Sequence, residues 1–437
     1  MPIAHVSPTG GLMVQYAQRV LRRMATTVRL SKAYTGRANS FGFLRLCFAF
    51  AVVVGHTAVL GYMRPFSTHV DVPGLAVAGF FGISGFLITR SARRVSLPRF
   101  LWHRALRILP GLWVCLLFTG LVVAPTLWYL RYGDLDGLWR SPFGVVNYLR
   151  ANWWGGLRQA GIEDLLVDTP YGRAAGMSML NGSLWTLSYE IACYLIVAAL
   201  AVLAILRRAR VLVLLAAVLA FGVLVWNQYA QLRFGHPPVG VDGVLGPFPL
   251  FGAFAKLWFL RFGFMFLLGG VAELYGDRVP INDLLGVAAL AAVGWFILRG
   301  ELLGPALLPY EYLILWLAVR LPRVLHRIGQ TNDYSYGVYI YSFLVQQVLA
   351  KYGAPRLGFV GYFAASAAIA LALAFASWHL VEKLALRCKG WTPPLRRRPK
   401  QPPPAVDPAR QPSAGDPSAG GPPVDPALSL PGSRSTA

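Results

Sequence analysis

Two ionisable side chains stand inside the first long apolar segment, Phe43 to Met63: Arg45 and His56. Their eleven-residue spacing is almost three whole turns of helix, so one face carries both, about 16 Å apart along the axis. A charged or titratable group in hydrocarbon is costly and by default marks function. An imidazole there suits proton transfer near neutral pH. Glu190 follows Ser183-Leu184-Trp185-Thr186-Leu187-Ser188-Tyr189 in a segment whose start, Asn181-Gly182-Ser183, reads as a helix N-cap. Rise arithmetic puts Glu190 about 10 Å below the outer surface, level with His56. A carboxylate at that depth would orient the ring and raise its basicity. The structural alternatives are an Arg45 that snorkels to the inner surface, a His56 bonded to a backbone carbonyl, and a buried His/Glu pair between helices.

Other polar groups cluster near these three. The run Arg99, His103, Arg104, Arg107 precedes Pro110. Arg104 and Arg107 share a helix face, and paired guanidinium forks suit phosphates; plain positive-inside topology is the alternative. In Gly79-Phe80-Phe81-Gly82-Ile83-Ser84-Gly85 the glycines recur every third residue, which reads as a close helix contact. Ser84 lacks the spacing and strand-turn-helix context of a hydrolase nucleophile. Tyr336, Tyr339 and Ser342 share a face in a later segment, and Gln346 reaches about the bilayer midplane; substrate contact and interhelical bonding are both open. Trp139, Trp153 and Trp154 offer flat faces for sugar rings or for an interfacial belt, and Glu382 is expected to pair with a basic residue at the inner rim.

The elements that must position these groups are membrane helices. The 437-residue chain is 56% hydrophobic and 14% charged, although its formal charge is +23. The arginines lie in short runs between apolar segments of membrane length, which excludes a nucleic-acid partner. Ten segments qualify: 43–63, 74–91, 108–129, 183–205, 211–228, 257–274, 283–299, 302–320, 334–352 and 360–383. The spacing predicts an all-α polytopic transmembrane bundle of about ten helices. Arginine in the short loops, Arg93 and Arg94, Arg207 and Arg208, Arg323 and Arg327, places both termini in the cytoplasm. Whether 283–320 forms a hairpin or one re-entrant element stays open, because Pro305, Pro309 and Glu311 interrupt it.

Three domains follow: a cytoplasmic segment 1–40 without a cleavable signal peptide, a transmembrane domain 41–385, and a disordered Pro-rich tail 390–437. Arg396, Arg397, Arg398 and Lys400 would lie on anionic membrane lipids. Cys47, Cys115, Cys193 and Cys388 fall within or at the inner ends of apolar segments, so no disulfide framework is expected.

Taken together, Arg45 with Gly55-His56, Phe80-Phe81-Gly82-Ile83-Ser84-Gly85-Phe86-Leu87-Ile88, Arg104/Arg107 with Pro110, Ser183 through Glu190, and Ser335-Tyr336 through Tyr341 resemble acyltransferase family 3. These are bacterial multipass enzymes, and the likeness spans about 41–385. It implies transfer of an acyl group, usually acetyl, from acyl-coenzyme A to a hydroxyl of a cell-surface or lipid-linked glycan at the bacterial inner membrane. No metal and no bound cofactor are expected, and acetyl-coenzyme A is a co-substrate. His56 takes the position of the family's essential histidine, Arg45 that of its arginine partner, and Arg104 and Arg107 the basic pair associated with the acyl donor. Ser84, Tyr336 and Tyr339 are expected along the donor's path, and Trp185, Gln346, Trp153 and Trp154 near the acceptor. Gly42, Ser188, Ser342 and Leu344 depart from the family pattern, leaving the Arg/His core intact. Rival readings are a glycan or anion transporter using Arg45, His56 and Glu190 as a relay, and a non-catalytic scaffold. Oligomeric state, the acceptor and the acyl chain are not legible.

Overall fold

A computed structural model describes residues 26–36, 38–235, 241–300 and 304–391. The expected tail from residue 392 on, with Arg396 to Arg398 and Lys400, and the first 25 residues lie outside the described residues. Long helices dominate: α1 (Phe41–Tyr62), α2 (Val72–Arg94), α3 (Leu97–Phe118) running through a π segment into α4 (Ala124–Tyr132), two short loop helices α5 (Val145–Asn152) and α6 (Pro170–Ala175), then α7 (Trp185–Val202), α8 (Val211–Phe234), α9 (Lys256–Leu274), α10 (Asp283–Arg299), α11 (Leu307–Arg320), α12 (Ser335–Lys351) and α13 (Gly358–Ser377). Every expected apolar segment is a helix.

Among the described residues, seven helical stretches are long and apolar enough to cross a membrane. The other three expected segments, α10, α11 and α12, have 17, 14 and 17 residues. At 1.5 Å per residue α11 extends only about 21 Å, short of a typical hydrocarbon core. It is short because helix begins at Leu307, beyond Pro305. α10 and α11 form an antiparallel hairpin, since Asp283 at the start of one accepts from Trp316 Nε1 (3.0 Å) and pairs with Arg320 (2.8 Å) near the end of the other. That settles the arrangement left open by the sequence.

The glycine stripe of α2 is a helix contact. A Cβ at Gly85 would run into the Phe266 carbonyl oxygen of α9, and one at Gly269 into that of Gly82. Backbones at this approach exclude any side chain, so small residues gain packing that lipid cannot supply. Phe81 stacks on Phe262 across the same contact, with centroids 4.7 Å apart. By contrast α8 leaves Val218 and Leu219 57% and 70% exposed, as suits a helix that faces lipid. Two small ribbons accompany the helices: β1 (Val28–Arg29) pairs antiparallel with β4 (Pro280–Ile281), and β2 (Val244–Phe248) with β3 (Gly252–Ala255).

Two local expectations are corrected. Asn181 precedes a 3₁₀ turn and its side chain makes no cap bond; instead it accepts from Thr119 (3.0 Å) and Tyr148 (2.7 Å), tying the long loop to the end of α3. Asp71 does the capping of α2, accepting from the Gly74 N–H at 3.1 Å. Among the described residues Glu382 makes no ion pair: Ser377 donates to one oxygen at 2.8 Å and the other is buried without a bond. The π segment Trp378–Glu382 turns Glu382 inward, toward Gly111 of α3.

Candidate active site

α1, α2, α3, α7 and α12 surround a narrow cavity of about 90 Å³ on the side of the bundle that the expected topology makes the inner one. Arg45 of α1 and Arg104 and Arg107 of α3 line it, with Ser84 of α2, Glu190 of α7, and Tyr336 and Tyr339 of α12. Every residue expected on the donor's path therefore meets in one place. Along the cavity the arginines stand at one end, and Phe80, Thr186 and Tyr339 toward the other.

An acid that sequence reading missed organises the arginines. Asp333, two residues before α12, receives Arg45 Nη1 at 2.7 Å and Arg107 Nη2 at 2.6 Å on the same oxygen. Its other oxygen accepts from the Ser335 N–H (3.2 Å) and hydroxyl (2.5 Å), which anchors the carboxylate to the helix start. Burial alone would raise this carboxyl; the Arg45 and Arg107 guanidiniums, joined by the Ser335 donors, reverse that and hold it at about 2. One carboxylate thus offsets two guanidiniums. Arg104 carries no ion pair; it stands 5.8 Å over the Tyr194 ring, and its Nε is buried with no hydrogen-bond partner. Phosphate or carboxylate oxygens would satisfy that donor.

Aromatic rings close the outer end. Phe80 stands 5.8 Å from Tyr339 and 5.7 Å from Phe48, which lies between Arg45 and His56 along α1. The Tyr339 hydroxyl donates to the Ser183 carbonyl (3.0 Å) and shares a 2.5 Å bond with Thr186, fixing the ring. His56 lies beyond. Its ring meets Phe343 edge-on at 5.2 Å, and Phe343 is four residues past Tyr339, so the imidazole sits about one turn, or 6 Å, above the cavity's outer end. The Nδ1 is buried without a partner, which the carbonyl-bonded alternative would have supplied.

The expected His56/Glu190 pair is not brought together. Glu190 bonds Tyr194 one turn along its own helix and lines the arginine cavity, without a hydrogen bond or ion pair to the imidazole. Rise arithmetic failed because depth along two helices says nothing of which faces meet. Gln346 instead supports α1 beside His56, donating to the Val53 carbonyl (2.9 Å) and the Thr57 hydroxyl (2.8 Å). Trp185 packs with Tyr189 and Trp258. Trp153 stacks on Trp113 at 5.0 Å, and Trp154 and Trp139 are exposed. Among the described residues, no group of three metal-ligating side chains comes together.

On the side that the expected topology makes the outer one, a wider cavity of about 840 Å³ opens between α1, the α1–α2 loop, α8 and α9. Gly55 and Val59, which flank His56 in sequence, line it. Nothing in the sequence marked this space.

A family model described as an acyltransferase domain matches residues 39–379, which encloses both cavities. An O-acetyl transferase of Shigella phage Sf6 is 30% identical over 357 residues, covering 79% of this chain and 96% of the relative. Nodulation protein 10 of Rhizobium leguminosarum bv. viciae is 29% identical over 390 residues, covering 81% and 95%. No solved structure is a significant match. With its arginine cavity, its buried imidazole and a family match over most of its length, this chain belongs to acyltransferase family 3 and is a multipass membrane acyltransferase.

Proposed function

We propose that the protein is an inner-membrane O-acyltransferase that moves an acetyl group from acetyl-coenzyme A to a hydroxyl of a cell-surface or lipid-linked glycan. In this reading α10, α11 and α12 complete a set of ten spans, and both termini face the cytoplasm. The observation that carries it is the convergence of Arg45, Arg104 and Arg107 on one cavity a helical turn short of His56. The nucleotide phosphates dock at the inner end, where Arg104 has an unpartnered donor. Glu190 sets the charge of that cavity rather than orienting the imidazole. The pantetheine arm extends past Ser84, Tyr336 and Tyr339, and rotation of Phe80 opens the way to His56.

At the far side a sugar hydroxyl approaches His56. The imidazole takes the hydroxyl proton as the oxygen attacks the thioester carbonyl; the C–S bond breaks, and the coenzyme A thiolate leaves with that proton, returned by the imidazolium. General-base assistance contributes about 10² to 10⁴ in rate. Gln346 holds the α1 segment that carries the base, and the exposed Trp154 ring offers a face to the incoming glycan. The phage relative's name supports acetyl as the group moved.

His56→Ala at normal expression is expected to abolish nearly all transfer. The test is consumption of acetyl-coenzyme A by purified protein in the presence of a glycan extract. A variant that keeps more than a tenth of the activity removes His56 from the chemistry. A native protein that forms no acyl-dependent product favours the transporter reading.

A further inference from the structure

Between α8 and α9, the run from Gly243 to Ala255 carries no polar side chain: Gly-Val-Leu-Gly-Pro-Phe-Pro-Leu-Phe-Gly-Ala-Phe-Ala. An apolar run of this length is too short to span a bilayer and suits a buried or an interfacial element. Gly246, Pro247, Pro249 and Gly252 deny it a helix, and it forms the β2–β3 ribbon instead. The ribbon is not buried. Val244 is 61% exposed, Phe248 46% and Leu250 48%. Cover comes from the other side, where Phe254 meets the Tyr189 ring edge-on at 4.9 Å. A two-stranded ribbon is marginal in water even without such a patch, and the patch itself calls for an apolar partner.

Hydrogen bonds fix the ribbon's level in the bundle. The Ala255 N–H donates to the Tyr189 hydroxyl at 2.8 Å, in the first turns of α7. The Lys256 N–H, at the first residue of α9, donates to the Gly243 carbonyl at 3.0 Å. The ribbon therefore stands at the end of the bundle where α8 stops and α9 starts. Exposed rings on α8 mark the same end: Trp226, Tyr229 and Phe234, the first two 5.8 Å apart. Aromatic belts of this kind lie at the membrane–water interface. Deeper placement is excluded, because an open ribbon edge in hydrocarbon leaves backbone groups unbonded, whereas water and headgroups satisfy them at the boundary. We infer that the β2–β3 ribbon is a membrane-docking surface whose partner is the lipid leaflet at this end of the bundle, entered to the headgroup–acyl boundary. Val244, Phe248 and Leu250 enter the apolar layer, and Asp242 and Lys256, which bracket the run, hold its ends among the headgroups.

The test is nitroxide labelling of the full chain in nanodiscs of phosphatidylethanolamine and phosphatidylglycerol, with the exposed Cys47 and Cys388 changed to Ser. Val244→Cys, Phe248→Cys and Leu250→Cys carry the label on the ribbon. Asp136→Cys, in the exposed loop after α4, gives the aqueous reference, and Leu219→Cys on α8 gives the hydrocarbon one. The readout is the rate of collision with oxygen, which concentrates in lipid, divided by that with a soluble nickel chelate. On the ribbon this ratio is expected to be at least about threefold that at Asp136 and below that at Leu219. Should Phe248→Cys fail to fold for want of its contact with Phe254, the other two labels decide. A ratio equal to that at Asp136 puts the ribbon in water and overturns the inference. One equal to that at Leu219 overturns it too, by placing the open edge in hydrocarbon. Dipolar broadening at all the ribbon sites means that a second copy covers them, and likewise overturns it. The acyltransferase reading is decided separately, by His56→Ala and acetyl-coenzyme A consumption.

Discussion

The inner and outer cavities hold similar numbers of arginines under opposite conditions. Inside, Arg45 and Arg107 are locked onto one carboxylate in a space of about 90 Å³. Outside, Arg261 and Arg299 border about 840 Å³ with amides and the Asp71 carboxylate in the same lining. The first arrangement is tied down by its ion pairs. The second is roomy. Between them stands His56, separated from the first by the Phe48, Phe80 and Tyr339 rings and flanked by residues that line the second.

Removing Asp333 would strike this contrast hardest. Asp333→Ala leaves two mostly buried guanidiniums facing each other, and breaking such a pair costs about 3–5 kcal/mol. A fall of several degrees in thermal midpoint and loss of acetyl-coenzyme A binding are expected. Asp164→Ala, which breaks the Arg131 pair in the outer loop, should cost less than about 1 kcal/mol, because that acid is 47% exposed. Equal effects would refute the claim that the ion pairs tie the inner cavity down.

The pH dependence follows from the same carboxylate. Its native value, about 2, lies below the ordinary 3.8, so the stability it contributes is fully present above about pH 4 and is lost as pH falls toward 2. The stability gap between the native chain and Asp333→Asn should be level from pH 5 to 8 and close below about 4. A gap that already shrinks at pH 6 would mean that a different group titrates.

A smaller effect separates the cavities functionally. Arg104→Gln removes one charge-assisted contact, and about a tenfold rise in KM for acetyl-coenzyme A is expected. Steady-state kinetics at saturating acceptor would check it. A rise in the acceptor's KM instead would place Arg104 on the wrong side of the aromatic barrier.

How far the chain could be read before folding varies from residue to residue. Helical segments were legible because hydrocarbon forces backbone groups to bond within the segment, so length and hydropathy nearly define a span. Arg45 and His56 were legible for the same reason: a polar group in an apolar run needs an explanation. The role of the α2 glycines was legible from their three-residue period, although the partner helix was not.

Asp333 was missed. It sits 288 residues from Arg45 and 226 from Arg107, in a loop where an acid is unremarkable. The one local signal was its position two residues before Ser335, at the start of a helix. Glu190 was read in the right segment and given the wrong neighbour, since equal depth does not fix azimuth.

The amino-acid sequence by itself determined the helices, the family and the identities of the polar groups, since each of these depends on local hydropathy and spacing. Only the tertiary structure decided that Asp333 clamps two arginines, that Glu190 faces them and not His56, and that an outer cavity opens at Asn227. Those outcomes depend on which helix faces meet, and packing sets them through contacts between residues hundreds of positions apart.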